Sequence, residues 1–173
     1  MLNLNNFLLY YITPIVTVFS VIIALLQYMK ANKVKRAELI NQIIEKLRFN
    51  EELQETFLMI DYNNKWYNES FHNKENDIEK KVDRLLAYFS YLCYLRNLKF
   101  LSKKEFTLFE YQLNRICISP QVQNYLWNLY HFSKKNNAKT SFNYLIDYGL
   151  KNNLFYSDFN NKDTSHYTKY LNF

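Results

Sequence analysis

The sequence predicts an all-α fold, with one N-terminal transmembrane helix followed by a helical bundle of about five to six helices. Three observations predict it. Residues 1–29 hold no Asp, Glu, Lys or Arg, so they can lie in hydrocarbon without a buried charge. Downstream, apolar residues recur at intervals of three and four, the period of one helix face. The chain has a single glycine, two prolines and no useful run of period-two alternation in 173 residues, which leaves neither strands nor the tight turns that join them.

The apolar stretch from Phe7 to Met29 is 23 residues long, or about 35 Å as a helix. In the window 8–26, twelve residues are Leu, Ile, Val or Phe. Their gross transfer energy is on the order of −4 to −7 kcal/mol before Thr, Ser and Pro are subtracted. Phe7, Phe19 and Leu26 are apolar anchor positions, and Tyr10, Tyr11 and Tyr28 fit the two interfaces, about 27 Å apart. Pro14 predicts a kink or a stretched first turn, because it cannot donate to the ladder. Thr13, Thr17 and Ser20 offer a modest packing face for another helix. A cleaved signal peptide is disfavoured by the uncharged amino end and the overlong apolar run, and a buried core helix by the lack of a polar stripe.

Lys30, Lys33, Lys35 and Arg36 follow the span and contrast with an amino end that carries only its terminal amine, so the carboxyl side is expected in the cytoplasm and the amino terminus outside. The expected location is a bacterial inner membrane. These four cations are candidate headgroup contacts. Residues 30–49 hold six cations and two acids, or +4 of the chain's net +6, and so account for the basic character without nucleic acid. Cys93 and Cys117 sit in apolar runs and read as reduced, buried thiols.

The organisation expected is an anchor over 1–29, a basic juxtamembrane helix or stalk over 30–49, a bundle over 50–149 and an aromatic-rich tail over 150–173. Ile40, Ile43, Ile44 and Leu47 make an amphipathic stripe that continues from the span. Asn50 is a candidate cap for a helix running to about Ile60. Capping boxes are read at Asn76 with Glu79 and at Ser102 with Glu105. Between them Val82, Leu85, Phe89 and Leu92 lie on a helix that is apolar nearly all round over 85–95, and this helix is expected at the centre. Ser119 and Pro120 mark a further start. Ser141 begins the last helix, and Gly149 is read as its left-handed C-cap. The tail is expected to pack back on the bundle through its aromatic residues, ahead of docking at the membrane or at a partner.

The only glycine being Gly149, phosphate cradles, dinucleotide fingerprints and nucleophile elbows cannot be built in their usual form. His72, His131 and His166 match no metal spacing, and no nucleophile stands beside a base. The expectation is a non-enzymatic protein with no catalytic residues, metal or cofactor. The polar loop at 61–76 carries Trp66, Tyr67 and Phe71, a possible partner surface. Tyr88, Tyr91 and Tyr94 are read as core rather than as a binding stripe. Residues 99–173 interleave ten cations and five acids with aromatics, a spread-out pattern that gives nucleic-acid binding weak support.

The segment VDRLLAYFSYLCYLRNLKFLSKKEFTLFEYQLNRI at 82–116, with RAELI at 36–40 and NEEL at 50–53, resembles a family of small bacterial single-pass membrane proteins of unknown function. The resemblance covers roughly 36–130. It implies a transmembrane helix before a helical cytoplasmic domain, and some members are encoded beside phage-defence genes of retron or abortive-infection type. Its motifs are helix-packing patterns and transfer no functional residue. The function expected is a membrane-anchored binding or effector protein in antiviral defence, acting through a protein partner or homo-oligomer at the lipid bilayer. Alternatives are an adaptor tethering an enzyme or nucleoprotein and, behind it, a nucleic-acid-binding module.

Overall fold

A computed structural model describes residues 12–62, 65–68, 71 and 77–171. They form six helices: α1 Thr13–Phe49, α2 Glu51–Asp61, α3 Ile78–Asn97, α4 Lys103–Ile118, α5 Pro120–Lys135 and α6 Asn143–Lys151. No strand occurs among the described residues. The chain divides into two compact units, Met1–Lys46 and Leu47–Phe173.

From Thr13 on, the residues expected as anchor and stalk are one unbroken helix of 37 residues, about 55 Å long. Nothing in its composition stops it before Asn50, since no glycine or proline follows Pro14 in this stretch. Pro14 stands in the first turn of α1, two residues after Ile12 in a π-helical turn, the stretched geometry expected where a ring replaces an N–H. The anchor residues Phe7, Tyr10 and Tyr11, together with His72 and Asn76, lie outside the described residues.

In the second unit α3 is central, packing against α2, α4 and α6. Val82, Leu85, Leu86, Phe89 and Leu92 are all fully buried, as the nearly all-round apolar run requires. Phe106, Phe109, Leu113 and Ile116 of α4 supply a facing stripe. Of the tyrosine series Tyr88 is buried and Tyr91 exposed, while Tyr94 packs its ring on Tyr144 at 4.9 Å. Cross-ties are few and specific: the Arg84 guanidinium donates to both carboxylate oxygens of Glu52 at 2.8 and 3.0 Å, and Ser90 donates to the Ser141 carbonyl at 3.0 Å. Cys93 and Cys117 are buried free thiols, and burial pushes the Cys93 thiol up to about 12.

The helix starts show which caps the residues can make. Asn50 accepts from the Leu53 amide at 2.9 Å. Ser102 and Glu105 close both halves of a capping box. Pro120 is the first residue of α5, but the Ser119 side chain makes no cap bond. At α3 the N-cap is Asp77 rather than Asn76, also without a side-chain cap bond. For α6 the N-cap is Phe142, and Thr140 instead of Ser141 satisfies a donor there, accepting from the Phe142 amide at 3.1 Å.

The helix ends correct the reading of Gly149. It is inside α6, with no positive φ, and the left-handed residues among those described are Lys99, Asn137 and Asn153, at φ 62°, 52° and 53°. Each sits one residue beyond a C-cap and closes a Schellman motif. The outer bonds run from Phe100 to Leu95, Ala138 to Ser133 and Leu154 to Gly149, at 3.0, 2.9 and 2.9 Å, and the inner ones from Lys99 to Arg96, Asn137 to Lys134 and Asn153 to Leu150. Asparagine tolerates this conformation better than other non-glycine residues, so an asparagine-rich chain can end helices without glycine. Gly149 is needed for space: a Cβ there would stand 2.5–2.8 Å from the Phe155 ring.

Candidate functional site

From Thr13 to Met29 every side chain of α1 is exposed, including Phe19 and Leu26 at 61 and 60 %. The helix is long and apolar enough to cross a membrane near the N-terminus. Two hydroxyls within the apolar run are satisfied by the helix itself, as hydrocarbon demands: Thr17 donates to the Thr13 carbonyl and Ser20 to the Val16 carbonyl, both at 2.9 Å. Tyr28 ends the apolar part, and Lys30, Lys33, Lys35 and Arg36 follow on the next two turns of the same helix, all exposed.

Trp66, Tyr67 and Phe71 do not form a surface. They are 4, 6 and 0 % exposed, which overturns the expectation of a partner-binding loop. The physical reason is a ring cluster around Tyr125 of α5, whose centroid is 6.2 Å from Trp66 and 5.2 Å from both Tyr67 and Phe71. Gln121 pins the backbone, its side-chain oxygen accepting from the Trp66 and Tyr67 amides at 2.7 and 2.8 Å. Burial raises the Tyr67 and Tyr125 phenols well above their ordinary value, in Tyr125 with a further push from Asp83.

The tail is likewise part of the core. Phe155, Phe159 and Tyr167 are buried, although residues 152–171 contain no helix or strand. Two amides on α5 hold this strap. Gln123 donates to the Cys117 and Leu154 carbonyls at 2.9 and 3.1 Å and accepts from the Tyr156 amide and the Tyr167 hydroxyl at 3.2 and 3.0 Å, using its full capacity. Asn128 donates to the Asn124 and Thr168 carbonyls at 2.9 and 2.8 Å and accepts from the Tyr170 amide at 2.8 Å. His131 donates through Nε2 to the Phe159 carbonyl at 3.1 Å, and desolvation lowers its pKa below the usual histidine value. Sequence reasoning missed Gln123 and Asn128; the legible signal was Gln123, Trp127 and His131 at intervals of four, a second stripe on α5.

His166 stacks on Tyr156 with ring centroids 4.8 Å apart and pairs with Asp158, which also accepts from Thr164. Both contacts lower the Asp158 pKa. No cluster of three metal-ligating side chains occurs among the described residues.

The folded unit also carries two neighbouring chambers that share wall residues. One chamber, of 260 Å³, is bounded by Arg96, Lys151, Phe106 and Tyr148, with the buried Cys93 at its wall. The other, of 420 Å³, is bounded by Tyr130, Lys134 and Lys139. Tyr144 and Asp147 belong to both. No protein-family model matches this chain, and comparison with curated proteins and with solved structures finds no match.

Proposed function

We propose that this chain is a single-pass membrane-anchored binding protein, with its amino terminus outside and its folded unit on the cytoplasmic side of a bacterial inner membrane, acting by contact rather than catalysis. The observation that carries the reading is α1. Its apolar turns from Thr13 to Met29 are exposed, the Thr17 and Ser20 hydroxyls are satisfied within the helix, and its cations begin where the apolar run ends. An apolar surface of that length is unfavourable in water, by roughly 25 cal/mol per Å², and favourable in lipid. Lys30, Lys33, Lys35 and Arg36 orient the span by the positive-inside rule and meet anionic headgroups at about 1 kcal/mol each.

The work assigned to the folded unit is capture of a partner, in antiviral defence as the family resemblance of residues 36–130 implies. The test is fractionation with topology mapping. Full-length protein should pellet with membranes and resist carbonate extraction, a tag after residue 173 should be cleaved only in inverted vesicles, and a chain lacking residues 1–29 should become soluble. A full-length chain recovered in the soluble fraction, or a carboxyl tag reached from outside, would overturn the reading. Gentle solubilisation and affinity purification then identify the partner, and a pure homo-oligomer would point to self-assembly through α1 instead.

A further inference from the structure

The two chambers in the folded unit are unevenly charged. Arg96 and Lys151 line the smaller chamber and Lys134 and Lys139 the larger, against the single carboxylate of Asp147. Lys139, Lys151 and Asp147 have no ion-pair partner among the described residues, and the Lys134 ammonium lies 4.3 Å from the centre of the Tyr130 ring. Arg96 and Lys151 thus face the smaller chamber with two positive charges against the one acid, and an anion entering there offsets the excess. Arg96 is held by its bond to the Leu101 carbonyl at 3.2 Å, and a guanidinium fixed in this way is suited to a phosphate.

The walls add a second kind of recognition. Tyr144 is supported from behind by Tyr94 at 4.9 Å, and Phe106 meets Tyr148 edge-on at 5.7 Å. Tyr144, Phe106 and Tyr148 are thus braced by neighbours and line the smaller chamber together with Arg96 and Lys151. Cations alone would take any anion, and rings alone any flat apolar compound. Together they select a planar ring that carries a phosphate. The smaller chamber, of 260 Å³, is just below the usual size of small-molecule sites, about 300–1,000 Å³, the larger, of 420 Å³, is inside that range, and both are too small to enclose a folded macromolecule.

We propose that the smaller chamber binds a nucleoside monophosphate or a phosphorylated ring compound of that size, with the phosphate between Arg96 and Lys151, the ring against Tyr144, and Asp147 accepting from a sugar hydroxyl or ring amine. The proposal rests on reading the folded unit as a binding domain, and it is independent of the membrane.

The experiment is calorimetric titration of the full chain in non-ionic detergent with AMP, GMP, CMP and UMP, then with the matching nucleoside, inorganic phosphate and a short single-stranded oligonucleotide. At least one monophosphate should bind at one to one, with nucleoside and phosphate each about tenfold weaker or more. Lys151→Gln and Arg96→Gln should each weaken the monophosphate about tenfold, and Tyr144→Ala should weaken it while leaving phosphate unchanged. Lys80→Gln, on the exposed start of α3, should change nothing, and an unchanged melting temperature for Lys151→Gln certifies the fold. No binding of any monophosphate, equal binding of inorganic phosphate, insensitivity to Lys151→Gln, or a far stronger, steeply salt-dependent oligonucleotide would each overturn the proposal. A soluble chain that still binds the nucleotide would break the anchor reading alone.

Discussion

The apolar half of α1 and the middle of α3 are built from the same kinds of residue and meet opposite surroundings. Val21, Ile22, Ile23, Leu25 and Leu26 are roughly half exposed or more, while Leu85, Leu86, Phe89 and Leu92 are 0 % exposed. Over α3, the helices α2, α4 and α6 cover the apolar surface; along α1 every residue from Thr13 to Met29 is exposed among the described residues. The difference teaches that apolar content alone does not distinguish a core helix from a span. Length does, because the 11 residues at 85–95 are about 16 Å of helix while 7–29 reach about 35 Å.

Removing one ring from each region sharpens the contrast most. Phe89→Ala should destabilise the folded unit by about 3–5 kcal/mol, through lost burial and the cavity left behind. Phe19→Ala should leave its melting temperature unchanged, and an equal effect of the two would place α1 in the core. A charge reverses the sensitivity: Ile22→Lys should cost roughly 2.5–3.5 kcal/mol of membrane insertion, read as a shift to the soluble fraction, without altering unfolding of the residues from Leu47 onward.

Gly149 and Lys99 test the helix ends within the folded unit. Glycine to alanine inside a helix ordinarily stabilises by about 1 kcal/mol. Gly149→Ala should instead destabilise by about 1–3 kcal/mol, because the new methyl meets the Phe155 ring, itself stacked on Phe159 at 4.6 Å. Loss of protease protection in the strap would accompany it, and a raised melting temperature would show that the ring moves freely aside. Lys99→Gly is the smallest change and has the opposite sign, stabilising by about 0.5–1 kcal/mol, because it relieves a left-handed residue that is neither glycine nor asparagine. Denaturant unfolding reads both.

Much of the fold was legible in one dimension. The period of Val82, Leu85, Phe89 and Leu92, the Ser102–Glu105 box, Pro120 at a helix start and the uncharged run before Lys30 are local patterns, and local patterns report local structure. The fate of Trp66, Tyr67 and Phe71 was not legible. An aromatic residue in a polar loop is spelled the same whether it faces a partner or Tyr125, and that ring is more than fifty positions away in the chain. The two chambers were equally hidden, since Arg96, Lys134 and Lys151 come from the ends of three different helices.

By itself, the sequence determined the helical class, the candidate span, the central helix and the scarcity of tight turns, because periodicity, length and backbone freedom act over a few neighbouring residues. Only the tertiary structure decided that Gly149 is a space for the Phe155 ring, that Asn137 and Asn153 end helices, and that the tail is a strap held by Gln123 and Asn128. Those outcomes depend on which distant groups arrive to fill a volume or satisfy a buried amide, and packing of that kind is decided only when the chain closes on itself.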